Sequence, residues 1–95
     1  MLELNDKTII MSSFIITAIS SYSPAFTHRK AEVKNLTTQT EHFILFKEHD
    51  ANNQQISAIF TDINYQEIKS CAVLESENGH TFKTIVVGDI LTDIL

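Results

Sequence analysis

Apolar residues in this chain alternate with polar ones, or run together in short blocks, far more often than they recur at helical spacing. Such a pattern marks strands. The first block is the longest. From Thr8 to Thr27 no side chain carries a charge. Ile, Thr and Phe dominate it, where a good helix would carry Ala, Leu, Glu and Lys. Read as a strand over Thr8 to Ser20, it lines one face with Ile10, Phe14, Ile16 and Ala18 and the other with Ile9, Met11, Ile15 and Ile19. Both faces are apolar, as in a strand covered on two sides.

The only proline then marks a break in "SYSPAFT". "HRKAEVKNL" alternates weakly, with Ala31 and Val33 on one side and Glu32 and Lys34 on the other. "TEHFILFKEH" and "QISAIFT" are firmer strands. Between them "DANNQ" supplies Asp and Asn, which tolerate left-handed backbone, so residues 40–61 read as a hairpin. "DINYQEIKS" predicts one short helix near residues 62–71, with Asn64 and Glu67 at capping-box spacing and Tyr65, Ile68 and Ala72 on one face. "CAVLESENGHTFKTIVV" places two β-rich runs around Asn78-Gly79, the signature of a tight hairpin. "GDILTDIL" closes the chain as a short strand or an amphipathic turn.

The expected fold is mainly β: an antiparallel sheet of five to six strands with that one helix, as an OB-like barrel or a small two-layer α+β sheet. Residues 1–95 make a single small β-rich domain. Residues 35–61, "NLTTQTEHFILF…SAIFT", also resemble the end of a fibronectin type III domain, where a Leu–Thr–Thr-like corner precedes a strand and a turn. His42 stands where that family's corner tyrosine would be, and the upstream strands and tryptophan are missing, so the chain is not assigned to it.

The uncharged opening block has two further readings. A spanning helix needs about 20 mostly apolar residues, and here five serines, three threonines and Pro24 interrupt the run. "IIMSSFIITAIS" resembles the core of a signal peptide, with Ser23 and Ala25 as small residues at a cleavage site. Against that, "MLELNDK" carries two acids and one lysine where a positive segment is required. The expected location is therefore the cytoplasm of a bacterial host, with export as the alternative if residues 1–25 act as a signal.

Charge narrows the partners. The net charge of -5 disfavours phosphate backbones and anionic membranes, and favours a basic protein partner. Cys71 is the lone cysteine; in "SCAVL" it reads as a small buried hydrophobe. Two glycines cannot build a phosphate loop. Glu48, His49 and Asp50 gather at a strand end and read as a solvated turn, and the four histidines read as exposed and structural. Phe14, Phe43, Phe46, Phe60 and Phe82 lie in apolar strands and are assigned to the core, which leaves little for a single-stranded nucleic-acid platform. No nucleophile, metal or cofactor pattern stands out.

What remains is a non-enzymatic protein-binding module. Immunity proteins, antitoxins and phage-encoded inhibitors of host defence share this size, charge and lack of motif. An OB-like nucleic-acid binder and an exported structural domain are the alternatives. The expected partner-binding residues are Glu75, Glu77, Asp89 and Asp93, an acidic edge beside the Asn78-Gly79 turn, with Ile94 and Leu95 of the apolar tail; the alternative is a solvated edge that prevents sheet-to-sheet aggregation. A homodimer is expected through the N-terminal strand or that tail.

Overall fold

The computed structural model describes residues 12–49 and 54–94, without the side chains of residues 69–71. The described chain is all strand and loop. Six strands follow one another: β1 (Ser13–Ile19), β2 (His28–Asn35), β3 (Glu41–Glu48), β4 (Gln55–Thr61), β5 (Glu67–Ser76) and β6 (Ile90–Asp93). Each pairs antiparallel with the next, and β6 pairs back onto β1, so the sheet closes into a barrel. The antiparallel barrel is as expected; its strand order is a simple up-and-down meander. Closure leaves the strands without the long unpaired edge that invites aggregation.

Alternation decides which side chains fill the barrel. Phe14 and Ile16 of β1, Ala31 and Val33 of β2, and Ile44 and Phe46 of β3 point inward. Ile56, Ala58 and Phe60 of β4, Leu74 of β5 and Leu91 of β6 complete the ring. Glu32 and Lys34 lie on the outer side as their alternation predicts. Phe43 also lies outside, because it pairs with Glu32 and Thr61. It is half-buried there beneath Tyr65, with ring centroids 5.8 Å apart and nearly perpendicular planes.

The opening block is a strand from Ser13 onward, bonded to β2 on one edge and β6 on the other. Ile9, Ile10 and Met11 fall outside the described residues. A bulge at Thr17 overturns part of the expected face. Ile16 pairs with Val33, but Ala18 pairs with Glu32 and Ile19 with Ala31. One extra residue reverses the alternation, so Ile19 packs on the core and Ala18 joins the outer face.

Two further expectations are corrected. The helix near residues 62–71 does not form. Asp62 accepts hydrogen bonds from the N–H groups of Asn64 and Gln66 through Oδ1, and Tyr65 takes a left-handed φ of 60°. This short-range competition makes a tight turn, after which Glu67 pairs with Thr61 and β5 runs beside β4. The hairpin around Asn78-Gly79 is also different. The turn exists, with Gly79 at φ 76° and its N–H bonded to the Ser76 carbonyl. Yet the strand that returns is β6, and "TFKTIVV" lies in the loop between.

An up-and-down barrel sorts its connections into two ends. Residues 20–27 and 77–89 gather at one, the loop end, with His49 and Gln54 at the ends of β3 and β4. The tight turns 36–40 and 62–66 lie at the other, the turn end. Of the expected "DANNQ" turn, residues 50–53 fall outside the described residues.

Candidate functional site at the loop end

The loop end is built from the inside outward. Phe82 and Ile85 of the 77–89 loop drop into the barrel mouth and are buried there as a stopper. The turn that presents them is short: the Thr81 carbonyl accepts the N–H groups of Thr84 and Ile85, and Thr84 Oγ1 accepts the Thr81 N–H. Beneath it, alternation in β2 sends Arg29 inward with Ala31 and Val33. Its guanidinium, 4% exposed, donates from Nη1 to the carbonyls of Phe82 and Ile85 at 2.9 and 3.0 Å. Nε and Nη2 donate to the Ser20 carbonyl at 3.0 and 2.7 Å. One side chain thus ties the first loop to the last, and burial lowers the pKa of its guanidinium. Among the described residues no carboxylate pairs with it, so a cation bound only to carbonyls sits under this end.

Asp89 latches the same loop. It is 3% exposed and accepts three hydrogen bonds: from Asn78 Nδ2 at 3.1 Å, from His80 Nδ1 at 2.7 Å and from the Val86 N–H at 2.9 Å. Burial pushes its carboxyl up, but those bonds and the charge of His80 outweigh burial and hold it below the usual value. Gly88, at φ 96°, lets the chain turn so that its N–H reaches the Ile16 carbonyl.

On this frame sits an exposed surface. Tyr22 of the first loop meets Phe82 edge-on at 6.1 Å, and the Lys83 ammonium lies 5.9 Å from the Tyr22 ring centre. Phe26 is 70% exposed, and Val86 and Val87 are each more than half exposed. Three grooves wrap the first loop, of about 400, 350 and 490 Å³. The first runs past Ser20, Phe26, His28, Lys30 and Leu45. Phe26 joins it to the second, and Tyr22 and Lys83 join the second to the third, which ends at Val86 and Val87. Lys30, Lys47 and Lys83 border these grooves; among the described lining residues Glu48 is the one carboxylate.

Of the residues marked from the sequence, Asp89 belongs to this frame and the other described ones lie beside it. Glu75 and Glu77 are exposed on the β5–β6 side, where Thr92 Oγ1 donates to Glu77 Oε2 at 3.3 Å. Asp93 lies on β6 opposite Leu74, and Ile94 is half-buried with its N–H on the Val73 carbonyl. Asp89 is withdrawn from the edge by burial, so the acidic strip is shorter than expected. Leu95, the Cys71 side chain and Asp50 lie outside what is described.

The histidines do not converge. His28 bonds Thr27, His49 bonds Ser57 and His80 bonds Asp89. His42 is not fully exposed as expected: it is half-buried between Phe14 and Phe60, 6.0 and 5.2 Å from their ring centres. Among the described residues no group of three or more His, Cys, Asp or Glu is placed to hold a metal ion. No helix among them is long and apolar enough to cross a membrane.

Sequence reasoning missed Phe26, Val86 and Val87. An apolar residue beside a strand reads as core, and only the one proline hinted that Phe26 stands on a loop. Set against protein-family models, curated proteins and solved structures, the chain finds no match in any of the three comparisons.

Proposed function

We propose that this protein is a non-enzymatic binding module that docks on another protein through the loop end of its barrel and blocks or bridges that target. One observation carries the reading. Phe26, Val86 and Val87 are exposed together on two loops that Arg29 and Asp89 hold in place, around three connected grooves. Exposed apolar side chains gathered around grooves mark interaction surfaces. A surface already fixed before binding loses less entropy on association, which favours affinity. The aromatic and aliphatic side chains are the anchors, and the lysines around them form a polar rim.

The test uses partner capture from the native host with the wild-type chain and with the Phe26→Asp and Val87→Asp variants. Both side chains are solvent-exposed, so melting temperatures should stay within a few degrees of wild type. The expected result is a defined protein bound by wild type and lost by both variants. Variants that retain the same protein would overturn the loop-end assignment.

A further inference from the structure

We infer that the first groove, between the Ser20–Thr27 loop and the β2–β3 wall, receives an acidic segment of the partner, its carboxylates on the groove's donors and an apolar side chain on Phe26 and Leu45. The inference rests on the loop-end docking proposed above and adds the chemistry of the occupant.

The donors are set by hydrogen bonds already in place. Ser20 Oγ accepts the Lys30 N–H at 3.1 Å, and Ser23 Oγ accepts the Ala25 N–H at 3.2 Å. Each hydroxyl therefore keeps its own proton to give to a ligand acceptor. Lys30 also lines the groove; its ammonium rests over the Tyr65 ring and swings off it to meet a ligand. The ammonium lies 5.2 Å from the Tyr65 ring centre, and among the described residues no carboxylate forms an ion pair with it. Among the described residues no Asp or Glu lines this groove. Its walls offer protons and positive charge at one side and an aromatic and an aliphatic surface at the other.

Charge distribution points the same way. The chain carries -5 overall, yet Lys30, Lys47 and Lys83 all border the loop-end grooves. Below them the buried Arg29 guanidinium is bound to carbonyls alone, while the buried Asp89 carboxylate of the same end is bound by Asn78, His80 and the Val86 N–H. The lysines at this rim favour an anion there. In a closed meander of six strands β5 lies across the barrel from β2, so Glu75 and Glu77 face away from the groove. An acidic segment is repelled by that far wall and attracted by this one, which fixes its direction of approach.

The experiment uses the full chain and two acetylated, amidated hexapeptides, Glu-Glu-Phe-Glu-Glu-Leu and its counterpart with Gln at every Glu. Amide resonances and titration calorimetry follow binding. The acidic peptide is expected to perturb the amides of residues 20–30 and to bind about tenfold or more tighter than the Gln peptide. Its affinity should fall several-fold as salt rises from about 20 to about 300 mM, which shortens the screening length from over 20 Å to under 6 Å. Lys30→Glu should weaken it about tenfold, and Ser20→Ala with Ser23→Ala a few-fold, with melting temperature recorded for every variant. Equal binding of both peptides, binding of neither, or indifference to Lys30→Glu would overturn the inference. So would tighter binding of a ten-nucleotide oligo-dT strand, which would assign the groove to nucleic acid. If the peptides fail while Phe26→Asp still loses the native partner, the acidic chemistry falls and the docking surface stands.

Discussion

Asp89 shows how a residue can be read correctly as charged and wrongly as exposed. Its carboxylate replaces water with Asn78, His80 and the Val86 N–H, and so gathers a loop of thirteen residues, 77–89, over the barrel mouth. Although burial opposes ionisation, the hydrogen bonds from His80, Val86 and Asn78 and the charge of His80 hold its folded pKa below the ordinary value. The sign of the pH effect follows. A depressed carboxylate contributes stability above its unfolded pKa of about 3.9, and that contribution is lost as pH falls through the lower folded value. Asp89→Asn is expected to cost about 1.5–3 kcal/mol near neutral pH, the range for hydrogen bonds to a charged group. Melting curves from about pH 5 down to about pH 2.5 should then show wild type losing more stability than the variant. Parallel losses would mean that Asp89 is not an acid-sensitive latch.

At the scale of elements, β1 carries the clearest consequence. It holds both β2 and β6, so it closes the barrel rather than decorating it. Ile16 is 1% exposed among the core side chains, whereas Ile15 is half-buried on the outer wall. Replacing Ile16 with Asp buries an unpaired charge and is expected to cost about 3–5 kcal/mol, enough to unfold a domain of this size. Ile15→Asp should cost about 1–2 kcal/mol. Denaturant titration separates the two, and equal costs would contradict the assigned faces. The "DINYQEIKS" turn carries the complementary lesson. Helical spacing of Tyr65, Ile68 and Ala72 is real in the sequence, but Asp62 caps the chain into a turn and β4 offers Glu67 a partner. Tyr65 then covers Phe43 on the outer wall instead of facing a core.

At the scale of the whole molecule the barrel absorbs most of the apolar surface that the sequence left unassigned. Leu91 of the tail is core, and Ile90 and Ile94 are half-buried. Exposed apolar side chains remain at the loop end and, at the turn end, as Leu36, Ile63 and Ile68. We therefore propose the self-association, expected at the N-terminal strand or the tail, at the turn end instead, which leaves the loop end free for a partner. An isologous dimer of twice 10.7 kDa is expected by light scattering. Ile63→Asp, on an exposed side chain, should return it to a monomer without lowering its melting temperature by more than a few degrees. A wild-type monomer at high concentration would refute the dimer. Glu75 and Glu77, on the opposite wall from the lysines, remain a proposed second surface for a basic partner.

Alternation is a local property, and it was enough to locate β2, β3 and β4, to put Ala31 and Val33 on one face, and to identify the opening block as strand; apolar context chose Phe14, Phe46, Phe60 and Phe82 for the core correctly, but also Phe43, which lies on the outer wall. Composition added the net charge and the shortage of glycine, which bear on what the chain can bind. Other features were settled only by contacts between distant residues. Pairing of β6 with β1 joins residues some 75 positions apart, and no local pattern encodes which edge closes on which. The bulge at Thr17 reverses a face because a partner strand fixes the register. Phe82 and Ile85 leave the expected hairpin because the barrel mouth needs a stopper, and Arg29 and Asp89 are buried where the 77–89 loop supplies hydrogen-bond partners to both. Once those side chains are drawn inside, Phe26, Val86 and Val87 are what the loops leave in water. The loop-end surface is thus a remainder of tertiary packing, which is why the sequence pointed to the acidic edge instead.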